Sequence, residues 1–385
     1  MQYKLYGMPG SLYTAKARSY LIKQGIDFDN RAVGEPRFRT EIMPKIGRWI
    51  IPVLETPDGS LIQDGSDIIA WFEDRGLARM PALPTTPRHQ LISQIFELFG
   101  GEGLLRPAMH YRWNFDAANL DFLSKDFVAA LAPGASEEEA AATFGFSSGR
   151  MRKAMIGFGV SPDSIPLIEA AYIQFLDLFN AHLADSPYLL GGRPTLGDYG
   201  LIAPLFAHLG RDPYPADLMK RKAPRVWRWV ERMHSAGQDA GDHGAPPPDL
   251  FANDGVPDTL KDLLSFIAED YLPEIAAMVG YTNEWLGARP DIAPGTNGLD
   301  RPGDRSIGMV DLVWRGQPIK VAVLPYRLYL LQKVQDVFDG ADAGGKAAIV
   351  GLLGQTGLSR FVTLRTLRRV QRANHLEVWG PVVGT

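Results

Sequence analysis

Residues 50–63 read IIPVLETPDGSLIQ, and this stretch decides the fold of the first part of the chain. Two short apolar runs flank Pro57-Asp58-Gly59. Proline presets φ for the first corner of a turn, and glycine accepts a positive φ at the next. The stretch therefore predicts a β-hairpin.

The residues on either side extend the hairpin into an α/β domain. A short strand is predicted at Tyr3–Tyr6, and a helix at Thr14–Gln24 stops at Gly25, a natural C-terminal stop. A second strand follows at Ile26–Val33, and another helix begins at Ser66. The order β-α-β, loop, β-β-α predicts an α/β domain over residues 1–78.

The rest of the chain divides at a proline-containing linker and at a second connection. Helical periodicity predicts an all-helical domain over 88–235, in which Thr195 and Asp198 form a capping box. Residues 235–257 are rich in Gly, Pro and Asp, which favours a flexible or extended connection.

Residues 258–385 form an α+β C-terminal extension. A hairpin is predicted around 315–318, and helices near 326–339, 346–353 and 359–372, the last with a basic face. Because this segment has apolar faces and its two-stranded hairpin is marginal alone, we expect it to pack on the helical domain.

Composition excludes several classes of function. The chain has 385 residues, 45% hydrophobic and 22% charged, with a net charge of −4, which argues against a nucleic-acid partner or an anionic membrane. No run of apolar residues is long enough to cross a membrane. No cysteine is present, so any thiol chemistry must use a thiol that arrives on a ligand. No pattern of ligands predicts a metal site.

Five segments, in order, resemble the glutathione transferase family. They are Ser11–Arg18, Ile51–Val53, Gln63–Ile69, Pro187–Asp198 and Val226–Met233. The first matches serine-type members, and the second matches a segment whose proline is cis in the thioredoxin superfamily. The resemblance covers roughly residues 3–235. It implies a thioredoxin-like N-terminal domain followed by the all-helical transferase domain.

The resemblance also implies a glutathione site. Ser11 would stabilise the glutathione thiolate, although a helix N-cap is the alternative for this serine. Ile51 and Pro52 would present backbone to the tripeptide. The other glutathione-binding candidates are Asp64 and Ser66 for the γ-glutamyl end, and Lys45 and Arg48 for the glycine carboxylate. Where the family usually has Glu-Ser, this chain has Asp64-Gly65-Ser66.

The segment Arg106–Trp113 combines bulky aromatic residues with two arginines, and in the transferase arrangement it faces the first domain across a cleft. The resemblance therefore implies an electrophile pocket, and the alternative is ordinary packing between helices. The candidate pocket residues are Tyr13, His110, Tyr111 and Trp113.

The function expected from the resemblance is a glutathione-dependent transferase for detoxification, with glutathione as co-substrate and a small electrophile as the second substrate. The reaction would be conjugation, cleavage or isomerisation. The alternative is a non-catalytic binding or scaffold protein with the same fold. We also expect a homodimer, as in the family, and a cytoplasmic location, because the N-terminus has no signal pattern.

Overall fold

The computed structural model of the protein describes residues 2–237, 239–244 and 248–383, and its first part is built around the predicted hairpin. The elements of this part are β1 (Tyr3–Gly7), α1 (Leu12–Gln24), β2 (Phe28–Ala32), α2 (Met43–Ile46), β3 (Val53–Glu55), β4 (Leu61–Gln63) and α3 (Gly65–Glu73). The strands form one sheet in the order β2-β1-β3-β4. β1 is parallel to β2 and antiparallel to β3, and β3 and β4 form the hairpin.

The ends of α1 follow from the local sequence. Ser11 precedes the helix in an extended conformation, and Gly25 ends it at φ 64°, in the left-handed region. The Gly25 amide donates to the carbonyl of Ile22 at 3.0 Å, which satisfies one of the last helical carbonyls. The predicted strand–helix–strand unit is therefore confirmed, with strand and helix bounds shifted by one or two residues.

Eight α-helices follow within residues 87–233, all of which the structure describes. They are α4 (Pro87–Leu98), α5 (Leu105–Trp113), α6 (Asp116–Leu131), α7 (Glu137–Ala154), α8 (Ile165–His182), α9 (Leu196–Ala207), α10 (Pro213–Lys222) and α11 (Pro224–Met233). A π-helical turn at Phe99–Gly103 joins α4 to α5. This turn lies against α9 so closely that a Cβ on Gly100 would come within 2.4 Å of the Gly200 backbone. The close approach explains glycine at both positions.

The capping box at the start of α9 is buried. Asp198 accepts hydrogen bonds from the Thr195 amide at 2.8 Å and from the Leu189 amide at 3.0 Å. It also accepts from the indole of Trp229 at 3.3 Å. The carboxylate, which is fully buried, therefore connects α9, the preceding loop and α11.

The connection at 235–257 is held in place where it is described. Asp254 accepts from the Thr86 hydroxyl at 2.6 Å and from the amides of Arg88 and His89 at 2.8 and 2.9 Å, so it caps α4 from a distant part of the sequence. The connection that was expected to be flexible or extended is thus attached to the start of α4 near its C-terminal end, at Asp254. Two of its three consecutive prolines, Pro246 and Pro247, lie outside the described residues.

The C-terminal extension contains helices and two hairpins. Its elements are α12 (Asp258–Asp270), α13 (Leu272–Gly287), β5 (Met309–Trp314), β6 (Gln317–Ala322), α14 (Pro325–Gly340), α15 (Ala343–Thr356), β7 (Arg368–Ala373) and β8 (Leu376–Val382). β5 pairs with β6 as predicted, and β7 pairs with β8.

The helix predicted over 359–372 is wrong. A short 3₁₀ turn at Ser359–Val362 is followed by β7. Gln332 of α14 exchanges hydrogen bonds with the backbone of Val370 at 2.7 and 2.9 Å, and β8 pairs along β7. These long-range contacts override the helical spacing of the apolar and basic residues. The arginines of the expected basic face therefore contact different neighbours. Arg365 and Arg369 pair with α14, Arg368 donates to the carbonyl of Ile292, and Arg372 donates to Gln63.

Contacts of the extension reach both earlier parts of the chain. α14 and α15 pack on α4, and α12 packs on α8. One cluster of buried apolar side chains runs from Leu5 through Phe96 to Leu331. Among the helices in the described ranges, none combines the length and apolar character needed to cross a membrane.

We expect Asp198→Ala to lower the free energy of unfolding by roughly 2 to 4 kcal/mol, because buried donors lose their acceptor in addition to the helix cap. Chemical denaturation followed by circular dichroism measures this. The matched control is Glu139→Ala, which breaks the exposed capping box at the start of α7 and should lower stability by about 1 kcal/mol or less. Equal losses for the two variants would contradict a special role for the buried carboxylate.

Candidate active site

Ser11 lies where the turn after β1 meets the start of α1. Its Oγ accepts a hydrogen bond from the Thr14 amide at 3.4 Å, which is long for such a bond. Among the described residues, no acceptor is recorded for its own hydroxyl hydrogen, and the side chain is half-buried. The positive end of the α1 dipole lies at the same place. Ser11 can therefore cap the helix and also donate a hydrogen bond to an anion.

Arg112 of α5 fixes the turn that carries Ser11. Its Nη1 donates to the carbonyl of Gly10 at 2.8 Å, while Nε and Nη2 donate to Asp212 at 2.7 and 2.8 Å. Both charged side chains are buried. Sequence reasoning missed this role, because the acidic partner lies 100 residues away along the chain.

Ile51 and Pro52 lie just before β3. Their peptide bond is cis, as the resemblance implies. Ile51 is half-buried, and within the described parts of the chain neither its amide nor its carbonyl has a recorded hydrogen-bond partner. Its backbone could therefore pair with an extended peptide-like ligand.

Asp64 and Ser66 form the corner between β4 and α3. Asp64 adopts a φ of 92° and accepts from the Ser66 amide at 2.8 Å. The Ser66 hydroxyl donates to Glu97 at 2.6 Å and accepts from Lys16 at 2.7 Å. Only 5% of Asp64 and 3% of Ser66 is exposed. Burial raises the pKa of Asp64, but the charges of Arg372 and Lys16 outweigh it and hold the pKa below its usual value.

The extension covers this corner. Tyr326 donates its hydroxyl to Asp64 at 3.0 Å and lies 3.3 Å from the Ser66 hydroxyl. Arg372 of β7 donates to Gln63 at 2.8 Å and lies 3.4 Å from Asp67. Nothing in the local sequence of the corner predicts these contacts, because both partners lie about 260 to 310 residues away.

Lys45 and Arg48, the two candidates for the glycine carboxylate, lie in different surroundings. Lys45 is exposed at the end of α2. Arg48 is held by the turn between β7 and β8, where it donates to the carbonyl of His375 at 2.5 Å and lies 3.5 Å from Glu377. Of these two candidates, Lys45 is the one exposed to solvent, and it has no ion-pair partner within the described residues.

A chain of buried charges joins the three parts of the protein behind the site. Tyr13 donates to Glu102 at 2.9 Å, and Arg327 donates to the other oxygen of Glu102 at 3.0 Å. Arg327 also pairs with Glu274 of α13, which pairs with Arg106 of α5. Burial and the Glu102 carboxylate raise the pKa of Tyr13, so this hydroxyl stays neutral and is directed to Glu102.

The residues expected to form the electrophile pocket do not come together. His110 contacts Glu169 of α8 at 2.9 Å, and the ring of Tyr111 packs on Tyr172 of the same helix. Burial lowers the pKa of His110. Tyr13 instead contacts Glu102 and the ring of Tyr326. α5 directs both His110 and Tyr111 towards α8 and away from Tyr13, which the sequence segment alone does not reveal.

Trp113 belongs to a separate apolar cluster near the Ser11 turn. This cluster also contains Met8, and the half-buried side chains of Ile51, Met155 and Phe158 pack against it. Met155 and Phe158 come from the segment after α7, which sequence reasoning did not include in the pocket. They supply an apolar wall between the first domain and the helical part.

A surface depression is lined by residues other than the candidate site residues. A depression of about 560 Å³ is lined by Gln2, Tyr3, Ile26, Asp27, Phe72 and Leu77, and none of these is a candidate site residue. Within the described residues, no group of three or more His, Asp or Glu side chains is arranged to hold a metal ion.

Comparison with protein families gives two matches. Residues 5–76 match the model described as Glutathione S-transferase, N-terminal domain. Residues 162–232 match the model described as Glutathione S-transferase, C-terminal domain. A search of curated proteins finds no match.

Solved structures similar to this chain include two glutathione transferases and a beta-etherase. The glutathione S-transferase of Xanthobacter autotrophicus Py2 is 22% identical, with 60% of this chain and 92% of that chain covered and a TM-score of 0.33. The glutathione transferase GSTFuA3 of Phanerochaete chrysosporium is 17% identical, with 60% of this chain and 96% of that chain covered and a TM-score of 0.42. The beta-etherase LigF of Sphingobium sp. strain SYK-6 is 16% identical, with 63% of this chain and 99% of that chain covered and a TM-score of 0.42.

We expect Arg327→Met to lower the free energy of unfolding by about 3 to 5 kcal/mol, because the buried Glu102 loses its arginine partner and Glu274 keeps only Arg106. The midpoint of urea denaturation measures the loss. Arg369→Met is the control, since Arg369 pairs with Asp336 at the surface and its loss should change stability by about 0 to 1 kcal/mol. Similar midpoints for the two variants would show that the buried network does not hold the extension.

Proposed function

The chain belongs to the glutathione S-transferase family, and we propose that it is an enzyme that uses the thiolate of bound glutathione against a small electrophile. The observation that carries this proposal is the Ser11 hydroxyl, which lies at the N-terminus of α1 with its hydrogen free among the described residues. Glutathione is then a co-substrate, and Ser11 acts on its sulfur without becoming a nucleophile.

The chemistry required of Ser11 is modest. A free thiol has a pKa of about 8.5, so only a few per cent is ionised at neutral pH. A hydrogen bond from the serine hydroxyl and the dipole of α1 each favour the thiolate by roughly 1 to 2 kcal/mol. Together they would lower the thiol pKa by about one and a half to three units, which increases the thiolate fraction around tenfold or more.

The backbone of Ile51 supports the placement of the ligand. Its unpartnered amide and carbonyl could pair with the cysteinyl residue of glutathione in the manner of a β-strand. The exposed Lys45 could meet the glycine carboxylate. Because the chain has no cysteine, a mixed disulfide between protein and glutathione is excluded, which leaves conjugation and glutathione-dependent cleavage or isomerisation.

The electrophile is proposed to bind on the apolar wall beside Ser11. Met8, Ile51, Met155 and Phe158 supply this wall. Trp113 lies behind it in the same cluster. His110 and Tyr111 would then support the helical part without touching the substrate.

We further propose that residues 1–78, 88–235 and 258–385 are the three structural units, and that the protein acts as a cytoplasmic homodimer. Sedimentation equilibrium of the purified full chain tests the dimer.

We expect Ser11→Ala to raise the apparent pKa of bound glutathione by about one unit while changing the dissociation constant by less than about threefold. Ultraviolet titration of the thiolate in the complex measures the pKa, and calorimetry measures the affinity. Ser136→Ala removes a comparable N-cap at the exposed start of α7 and should leave both values unchanged. Identical titration curves for wild type and Ser11→Ala would reduce Ser11 to a helix cap.

The second candidate function is a binding or scaffold protein without turnover, and the covering of the Asp64 corner by the extension favours it. We expect an enzyme to consume glutathione faster than buffer does with at least one electrophile among an aryl halide, an epoxide and an aryl ether. Ser11→Ala should slow that reaction by up to about tenfold at a pH below the thiol pKa, because a rise of about one unit in that pKa lowers the thiolate fraction by at most about tenfold. Glutathione binding without any accelerated consumption would support the scaffold instead.

A further inference from the structure

The candidate glutathione site consists of two halves that differ in the groups left for a ligand. Ser11 and Ile51 are half-buried and keep unused hydrogen-bonding groups, and Lys45 is exposed. These residues would face the cysteinyl and glycyl parts of glutathione. The other half is the corner Gln63–Asp67, which would face the γ-glutamyl part.

Asp64 Oδ1, the Ser66 hydroxyl and Gln63 Oε1 of that corner already have partners inside the protein. Asp64 accepts from Tyr326 and from the Ser66 amide, while the Ser66 hydroxyl is shared between Lys16 and Glu97. Arg372 donates a hydrogen bond to the side-chain oxygen of Gln63 and lies beside Asp67. A γ-glutamyl end carries one ammonium and one carboxylate, and at these atoms both would have to compete with Tyr326, Arg372, Lys16 or Glu97.

Space at the corner is equally restricted. Gln63, Asp64, Ser66 and Tyr326 are each 2 to 5% exposed. Even the backbone is packed, because a Cβ on Gly65 would come within 3.1 Å of both Lys16 and the carbonyl of Tyr13.

The covering residue Tyr326 is firmly placed. It is followed directly by Arg327, which is 1% exposed and pairs with Glu102 and Glu274. α14, which carries both residues, packs along α4. Tyr326 belongs to the same folded chain, so its contact with Asp64 costs no association entropy. A γ-glutamyl group that replaced Tyr326 would lose translational and rotational entropy on binding.

We infer that Tyr326 and Arg372 of the extension take the place of the γ-glutamyl group, so that this protein accepts thiols through their cysteinyl-glycine part and does not select for a γ-glutamyl end. The substrate class is thus short cysteine-containing peptides, of which glutathione is one. This inference rests on the proposed function, since it assumes that a thiol binds beside Ser11.

The test compares calorimetric dissociation constants of glutathione and the dipeptide cysteinylglycine for the full-length wild-type protein. We expect the two constants to agree within about threefold. A wild-type protein that binds glutathione more than about thirtyfold more tightly than the dipeptide would overturn the inference while leaving the proposed function intact. Binding of neither thiol would overturn the proposed function and this inference together.

Variants assign the effect to the extension. Arg372→Gln should release Gln63 and Asp67 and tighten glutathione binding at least threefold, with no change for the dipeptide. Tyr326→Ala should do the same by freeing Asp64, and its circular dichroism spectrum shows whether it is folded. Arg369→Gln is the matched control on the same strand, because Arg369 pairs at the surface with Asp336, and it should change neither affinity.

Two results for the variants would contradict the inference. If Arg372→Gln weakened glutathione binding and spared the dipeptide, the extension would complete a γ-glutamyl site and not replace the group. If neither Arg372→Gln nor Tyr326→Ala altered the ratio of the two affinities, other residues would be responsible for it.

Discussion

The guanidinium of Arg327 lies in the protein interior between the carboxylates of Glu102 and Glu274. A buried charge is tolerated only when it is paired and hydrogen-bonded, so these three side chains can be buried only together. Glu102 belongs to the helical part and Glu274 to the extension, and Tyr13 of the first domain donates to Glu102. The packing of the extension against the rest of the protein depends on this shared arrangement.

The position of the ion pair controls the surroundings of the site. Because Tyr326 precedes Arg327 in α14, fixing the arginine also brings the tyrosine hydroxyl to Asp64. β7 packs on α14 through Gln332 and carries Arg372 to the same corner. Ser11 is positioned separately, by the turn after β1 and by the contact of Arg112 with Gly10. The Ser11 half and the Asp64 half of the candidate site are therefore positioned by different contacts.

Prediction from the sequence succeeded where the determining contacts are local. The hairpin at 50–63, the stop of α1 at Gly25 and the hairpin at 309–322 each depend on turn residues a few positions apart. Prediction failed at 359–372, where pairing with β8 and with Gln332 turned a helical pattern into a strand. The prediction that His110 and Tyr111 lie together with Tyr13 also failed, because α5 directs His110 and Tyr111 towards α8.

The sequence by itself determined the thioredoxin-like and helical transferase architecture, the place of Ser11 at the start of α1, and the absence of a protein thiol. Only the tertiary structure decided that the Asp64 corner is covered and that Arg48 is taken up by the turn between β7 and β8. The physical reason is sequence separation. A helix cap or a turn involves neighbours, whereas the partners of the corner lie hundreds of residues away and meet it only in the folded tertiary structure.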